Sequence, residues 1–349
     1  MPTPNRYLPR ILLGSNILTP SNLAKLINRP NVHPILITTP HLLNLYSNQL
    51  NSLKIDTILL YAKDIQECQR LLQSDFPPNV MLVSFGGGRV SDITKYLAHK
   101  HHIEYISIPS TLSHDGLISP VIVLEDSHTH HKFRFTGHTP YGLLIDLQII
   151  KQSPRINIQA GIGDLISNQS ALDDWVLAEH MGKDHILPEA FEFSKKSFRW
   201  ISQLTHELNI LDPEFLQSLA LGLINSGYAM ILSGNSRPAS GSEHLISHSI
   251  DQLYPKRTSL HGIQTAYGCL LVERHVRHQR YSWYHQLFKK LNMLDTIFTL
   301  CNFTPQEETD LLEHALQLSD RYTIIHHQAQ HNLLPLSHHQ NRRRTTHSK

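Results

Sequence analysis

The chain has 349 residues, enough for two domains that each bury a core. Its formal net charge is only +2, from 31 Lys and Arg against 29 Asp and Glu, so no strong field marks it for nucleic acid or an anionic lipid surface. Cys68, Cys269 and Cys301 are odd in number and far apart, which argues against a disulfide framework and against a cysteine-built zinc site. Histidine is over-represented, with 26 residues, including His128, His130 and His131 and many near the C-terminus. Only histidines placed by a motif bear on function. Pro2, Pro4, Asn5, Arg6 and Arg10 interrupt any signal-peptide core, and the longest apolar stretch, Leu219 to Leu232, is too short for a bilayer and contains Asn225, Ser226 and Gly227. The expectation is a chain with no membrane span in a reducing compartment, the cytoplasm.

In chain order, Ile35 to Thr38 reads as a buried strand followed by a helical pattern through Leu42, Leu43 and Tyr46. Thr57 to Tyr61 is a second strand, followed by a helix with Ile65, Leu71 and Leu72. Val80 to Phe85 is a third, running into three glycines and a helix, and Tyr105 to Ile108 a fourth. Leu143 to Asp146 ends this alternation, which predicts a parallel sheet with crossover helices. From about residue 155 the runs are helical. Asp212-Pro213-Glu214 reads as a helix start with an N-cap acid, and Thr304 with Glu307 fits a capping box. The predicted domains are 1–153 and 154–336, with a mobile tail over 337–349 that is rich in His, Arg, Thr and Ser.

Gly86, Gly87 and Gly88 close the third strand, and Asp92 lies in the helix that follows. Glycines at such a turn admit a ligand close to the backbone, and the helix N-terminus offers free N–H groups to a pyrophosphate. The turn is not the G-x-G-x-x-G pattern and equally fits a tight βα connection. The loop after the fourth strand contains Ser110, Thr111, Ser113, Asp115 and Ser119. Both loops follow carboxyl ends of strands, where open parallel sheets bind ligands. The hydroxyls suit phosphate or carboxamide groups, and Asp115 suits a substrate hydroxyl.

The helical half offers metal donors. Asp164 follows Gly161-Ile162-Gly163 and reads as opening a helix, with Asn168 one turn on; His244 is followed by His248 at the same spacing, and His261 precedes Gly262. Positions i and i+4 share a helix face. One carboxylate and two imidazoles with a position left open match a catalytic zinc site, although composition does not choose among the histidines.

At these residues the chain resembles the sn-glycerol-1-phosphate dehydrogenases, within the wider group of glycerol dehydrogenase, iron-type alcohol dehydrogenases and 3-dehydroquinate synthase. The strings are GGGRVSDITKYLA (Gly86–Ala98), IPSTLSHDGLISP (Ile108–Pro120), AGIGDLISN followed by DDW (Ala160–Asn168, Asp173–Trp175), and SRPASGSEHLISH with a later LHG (Ser236–His248, Leu260–Gly262). They stand in family order over roughly residues 80–265. The resemblance implies the dehydroquinate synthase-like fold: an α/β N-terminal Rossmann-like domain with a parallel sheet, and an all-α C-terminal domain. It implies a divalent metal on Asp164, His244 and His261, zinc first, with nickel or iron as alternatives. It also implies NAD or NADP on Gly86, Gly87, Gly88, Asp92, Ser110, Thr111, Ser113 and Ser119, with Thr111 and Ser119 toward the nicotinamide. Asp115 would orient the substrate hydroxyl and His248 would relay a proton.

The expected reaction interconverts a small polyol phosphate and its ketone, sn-glycerol 1-phosphate and dihydroxyacetone phosphate, with Lys132, Arg134 and Arg237 as phosphate candidates. A homo-oligomer is in keeping with such families. A sugar-phosphate cyclase and a non-catalytic homologue are the alternatives. Two departures stand out: Ile263 replaces the glutamate that commonly follows His-Gly, and the strand ending Ile37-Thr38-Thr39-Pro40 lacks the acid that holds an adenosine ribose, which leaves NAD and NADP both open.

Overall fold

β4 (Val80–Gly86) dictates the first architectural choice. Its sequence VMLVSFG is buried on both faces, so it needs cover on both sides, as strands inside a parallel sheet do. The structure, a computed structural model, describes residues 8–62, 64–129, 131–203, 209–318, 320–331 and 333–334. Residues 2–6, His130 and the predicted tail over 337–349 lie outside the described residues. With β1 (Arg10–Gly14), β2 (His33–Thr38), β3 (Asp56–Leu59), β5 (Glu104–Pro109) and β8 (Gly142–Asp146), β4 forms a six-stranded parallel sheet in the order β1-β8-β5-β4-β2-β3. One apolar cluster lies around Leu36, Val83 and Ile106, and a second around Ile37, Leu82 and Ile93.

The anticipated parallel sheet is present, but two pieces differ from the reading. β1 was not anticipated, because only Ile11 to Leu13 are apolar between Arg10 and Gly14. β6 (Val121–Glu125) and β7 (Lys132–Thr136) form a separate antiparallel hairpin. Lys132 and Arg134 alternate with Phe133 and Phe135, so this stretch reads as a polar loop until its partner strand is known.

The longer helices are α1 (Gly88–His101), α2 (Arg155–His180), α3 (Pro188–Ser202), α4 (Pro213–Ser233), α5 (Ser242–Leu253), α6 (His261–Val272) and α7 (Pro305–Gln317). No strand follows β8 among the described residues. Asp164 does not open a helix. It sits in the middle of α2, and Gly161 and Gly163 serve close packing rather than initiation. Nor does the Asp212 carboxylate cap α4, since it accepts from Asn209 Nδ2 at 2.9 Å. The Thr304–Glu307 capping box is formed as expected. α4 is longer than the apolar stretch suggested. By length and composition it would suffice to cross a membrane, but 67% of its apolar window is packed inside the fold, as in a core helix.

α2 and α6 cross backbone to backbone. A Cβ at Gly163 would overlap the Gly262 carbonyl, and a Cβ at Gly262 would overlap the Ala160 carbonyl. Gly163 precedes Asp164 and Gly262 follows His261, so this crossing sets the spacing of two candidate ligands. Overpacking a close contact costs roughly 3 kcal/mol. Gly262→Ala is therefore expected to lower unfolding stability by about that amount and to weaken metal binding, read by urea titration and metal analysis. A variant with the parent's stability and metal content would show that the crossing imposes no such constraint.

Candidate active site

Asp164 from α2, His244 from α5 and His261 at the start of α6 meet at one point, their donor atoms all within 4.8 Å of one another. The Nε2 atoms of His261 and His244 are 3.0 Å apart, and Asp164 Oδ1 lies 3.5 Å from the first and 3.9 Å from the second. Ligands of a tetrahedral ion with bonds near 2.1 Å stand about 3.4 Å apart, so this set fits zinc or a similar ion after small adjustments. Burial pushes the Asp164 carboxyl well above its usual range, and the neighbouring charge of Asp115 adds to this. A buried carboxylate without a cationic partner is costly, and an ion on it removes that cost. Burial, then His244, holds His261 well below its ordinary pKa, in the neutral form that a metal requires.

Each imidazole is oriented from behind. His244 Nδ1 donates to Glu243 Oε1 at 2.8 Å, which leaves the Nε2 lone pair facing the site. Glu243 is fully buried; burial works against its charge, but His244 and the Gly241 N–H hold its pKa below the usual value. Ser247 Oγ lies 3.3 Å from His261 Nδ1 and can accept its proton. Support thus comes from Glu243 and Ser247. Ile263 sits fully buried in the apolar core, so nothing at that position reaches toward a ligand.

The loop after β5 is seated on this centre. The Asp115 amide donates to Asp164 Oδ2 at 2.9 Å, while Asp115 Oδ2 accepts from Ser226 Oγ at 2.7 Å. Asn168, read as facing the same cleft as Asp164, turns instead toward α3 and α4, donating to Ser197 Oγ and Ser226 Oγ at 2.9 Å each. It therefore orients Asp115 through Ser226 rather than approaching the metal donors. Burial raises the Asp115 carboxyl, and Ser226 opposes the shift. Lys95, fully buried, fixes the loop from beneath by donating to the carbonyls of Gly116 and, at 3.1 Å, Val121.

A cavity of about 260 Å³ opens over the donors. Asp115, Ser119, His244, His248 and His261 line it, and Lys132, Arg134 and Arg321 add positive charge. Burial, then Arg134 and Arg321, keeps His248 well below its ordinary pKa. Asp251 balances the cations, 2.6 Å from Lys132 Nζ and 3.8 Å from Arg134. Arg237 is not on this wall; it is buried against Asp184 at 2.7 Å. A wider groove of about 960 Å³ lies at the opposite ends of the strands, near Arg29, Phe76 and Glu104, and the metal-donor cluster is not among its lining residues.

The glycine turn adjoins the cavity through His114 and Gly116. Gly86, Gly87 and Gly88 share a cleft with Thr111 and Ser113, and a Cβ at Gly87 would stand 3.3 Å from Thr111 Oγ1. This cradle with free helix N–H groups suits a dinucleotide phosphate. Ser110 is buried, with its amide on Gly86 O at 2.9 Å, and it pins the two strand ends together. Asp92 lines the 260 Å³ cavity over the donors and lies 3.6 Å from Lys95 Nζ; burial raises its pKa to about 6. At the end of β2, Thr38 donates to Phe85 O and Thr39 caps the next helix, so no carboxylate stands there. Sequence reasoning passed over Glu243, Ser247, Ser226 and Arg321. Glu243 was signalled only by its place beside His244, and Arg321 by nothing local.

Known proteins resemble this chain in sequence and in fold. The iron-containing alcohol dehydrogenase family matches residues 37–154. Glycerol-1-phosphate dehydrogenase (NAD(P)+) of Pyrococcus furiosus is 36% identical over 190 residues, 54% of this chain and 54% of its own, so the match spans about half the length of that relative. The enzyme of the same description from Hyperthermus butylicus is 31% identical over 257 residues, 69% of this chain and 72% of its own. Among solved structures, a probable glycerol dehydrogenase from Sinorhizobium meliloti 1021 superposes with a TM-score of 0.69 at 14% identity, covering 94% of this chain and 92% of that one; this likeness shows the fold.

Removing the charge behind His244 tests the donor set directly. Metal ligands lose roughly 10- to 100-fold in affinity when such a support is taken away. Glu243→Gln is expected to lose affinity in that range, measured by chelator competition, and unchanged affinity would show that Glu243 does not support the ligand.

Proposed function

The chain belongs to the glycerol-1-phosphate dehydrogenase family, and from that premise we propose that it is a metal-dependent, NAD(P)-linked dehydrogenase interconverting sn-glycerol 1-phosphate and dihydroxyacetone phosphate. The observation that carries the reading is the cavity itself, with His244 and His261, which converge with the buried Asp164, on one side and Lys132, Arg134 and Arg321 on another. In this reading residues 1–153 carry the nucleotide and 154–336 the metal and substrate. A reducing, cytoplasmic setting suits three buried cysteines that are all free.

When bound to those three side chains, a divalent metal supplies Lewis acidity toward an alcohol or carbonyl oxygen. The chain's own residues do the rest. Asp115, held by Ser226, accepts from a substrate hydroxyl and orients it. The cations of the hairpin and Arg321 hold a phosphate at the far wall. Gly86, Gly87 and Gly88 take the dinucleotide pyrophosphate, and Thr111 and Ser119 lie toward its nicotinamide. His248, neutral and beside the donors, is the proton relay of this reading.

The test is reduction of dihydroxyacetone phosphate by NADH and NADPH with zinc, nickel or iron supplied. Net loss of NADH absorbance is expected, and its absence would favour a cyclase, which regenerates its cofactor. His244→Ala should abolish metal-dependent turnover, and retained activity with retained metal would overturn the ligand assignment. For the phosphate wall, Arg134→Gln and Arg321→Gln should each raise KM for the phosphate ester by about tenfold, the worth of one hydrogen bond to a charged group. Equal effects on unphosphorylated dihydroxyacetone would remove that wall from phosphate recognition.

A further inference from the structure

We propose that His114 donates a hydrogen bond from Nε2 to the pyrophosphate of the bound dinucleotide, its ring locked over the glycine turn by the Gly116 amide. The inference rests on the reading of Gly86–Gly88 as the pyrophosphate cradle.

A backbone amide can only donate. Gly116 N lies 2.9 Å from His114 Nδ1, so Nδ1 presents its lone pair there and the single proton of the neutral ring is on Nε2. The tautomer is thus fixed by the loop itself. The same contact fixes the ring's direction, because His114 is extended, at φ −170° and ψ 169°, and caps the short 3₁₀ turn Asp115–Leu117.

Nε2 then points at the first residue of α1. A Cβ built on Gly88 would stand 2.5 Å from Nε2 and 3.3 Å from Cε1, so the ring occupies the space a side chain at Gly88 would need. No acceptor among the described residues takes the Nε2 proton, and the ring lines both the glycine cleft and the metal-side cavity. Its single donor therefore joins the free N–H groups at the start of α1, where an anion is already favoured. Burial, then the charge of Lys95, lowers the His114 pKa to about 4, which agrees with a neutral ring. A ring in this tautomer has no free lone pair to take a proton from an alcohol. It is a binding group and not a base.

Two substitutions separate the two edges of the imidazole. Asn places an oxygen where Nδ1 was and keeps the Gly116 hydrogen bond, but reaches nothing at Nε2. Gln places an amide nitrogen near Nε2 and gives up the acceptor. Metal-loaded wild type, His114→Asn and His114→Gln would be titrated calorimetrically with NADH or NADPH, whichever the wild type binds, and with ADP-ribose, which keeps the pyrophosphate and lacks nicotinamide.

His114→Asn is expected to weaken both ligands by roughly 10- to 100-fold at unchanged thermal stability, the loss of one hydrogen bond to a charged acceptor. His114→Gln is expected to keep affinity within about threefold of wild type while melting lower, since it restores the donor and not the loop contact. Wild-type affinity in His114→Asn overturns the proposal, as does a loss confined to NADH, which would put the acceptor on the nicotinamide side. If His114→Asn does not fold, His114→Gln decides alone, and weak binding by a folded Gln variant overturns the proposal. Failure of the wild type to bind any of these ligands would instead overturn the dinucleotide reading of the glycine turn.

Discussion

The backbone of α2 touches the backbone of α6 at Gly163 and Gly262, and the geometry of the metal donors descends from that contact. Asp164 and His261 are the immediate chain neighbours of those glycines, so neither can move without separating two packed helices. A second glycine of α6, Gly268, leaves no room for a side chain against the Glu243 backbone of α5, which places Glu243 and His244. Gly161 does the same against the Leu112 carbonyl and seats the Asp115 loop on α2. Four small residues thus bring three helices and one loop to a common point. Precision of this kind comes from rigid elements in van der Waals contact, and long flexible side chains do not supply it.

That closeness has an electrostatic counterpart. Asp115, Asp164 and Glu243 are drawn together, and the last two are almost wholly shielded from water. Glu243 is balanced by His244 and the Gly241 amide, and Asp115 by Ser226. Asp164 receives one amide hydrogen bond and faces two imidazoles, of which His261 is kept from charging by burial. The centre is therefore short of positive charge in a way its protein groups do not correct. A divalent ion on these donors would supply it, and would tie the stability of the crossing to the chemistry proposed for the site.

Much of this was legible in the sequence, and the exceptions share a cause. The buried strands at 35–38, 80–85, 105–108 and 143–146 announce themselves because a strand covered on both faces must be a continuous apolar run. The edge strand β1 and the hairpin β6–β7 carry no such run. The glycines beside Asp164 were visible but looked like a helix start, since close backbone packing and helix initiation leave the same local trace. Asn168 shared a helical face with Asp164 on paper, yet α3 and α4 supplied hydroxyls for it in the other direction. Arg321 lies 60 residues beyond His261, the last of the three donors in the chain; only the tertiary fold brings it to the cavity.

The pair formed by Lys132 and Asp251 joins the β6–β7 hairpin to α5 across the mouth of the cavity. Widening the mouth by moving hairpin and helix apart would separate these charges. Both are only partly exposed, so dissolved ions reach them but screen them less than they would a surface pair. In the proposed reading an incoming phosphate would offer Lys132 another anion in place of Asp251, so its arrival would exchange one counter-ion for another. Ionic strength would then act on that exchange as well as on phosphate affinity, through an ion pair that lies apart from the three metal donors.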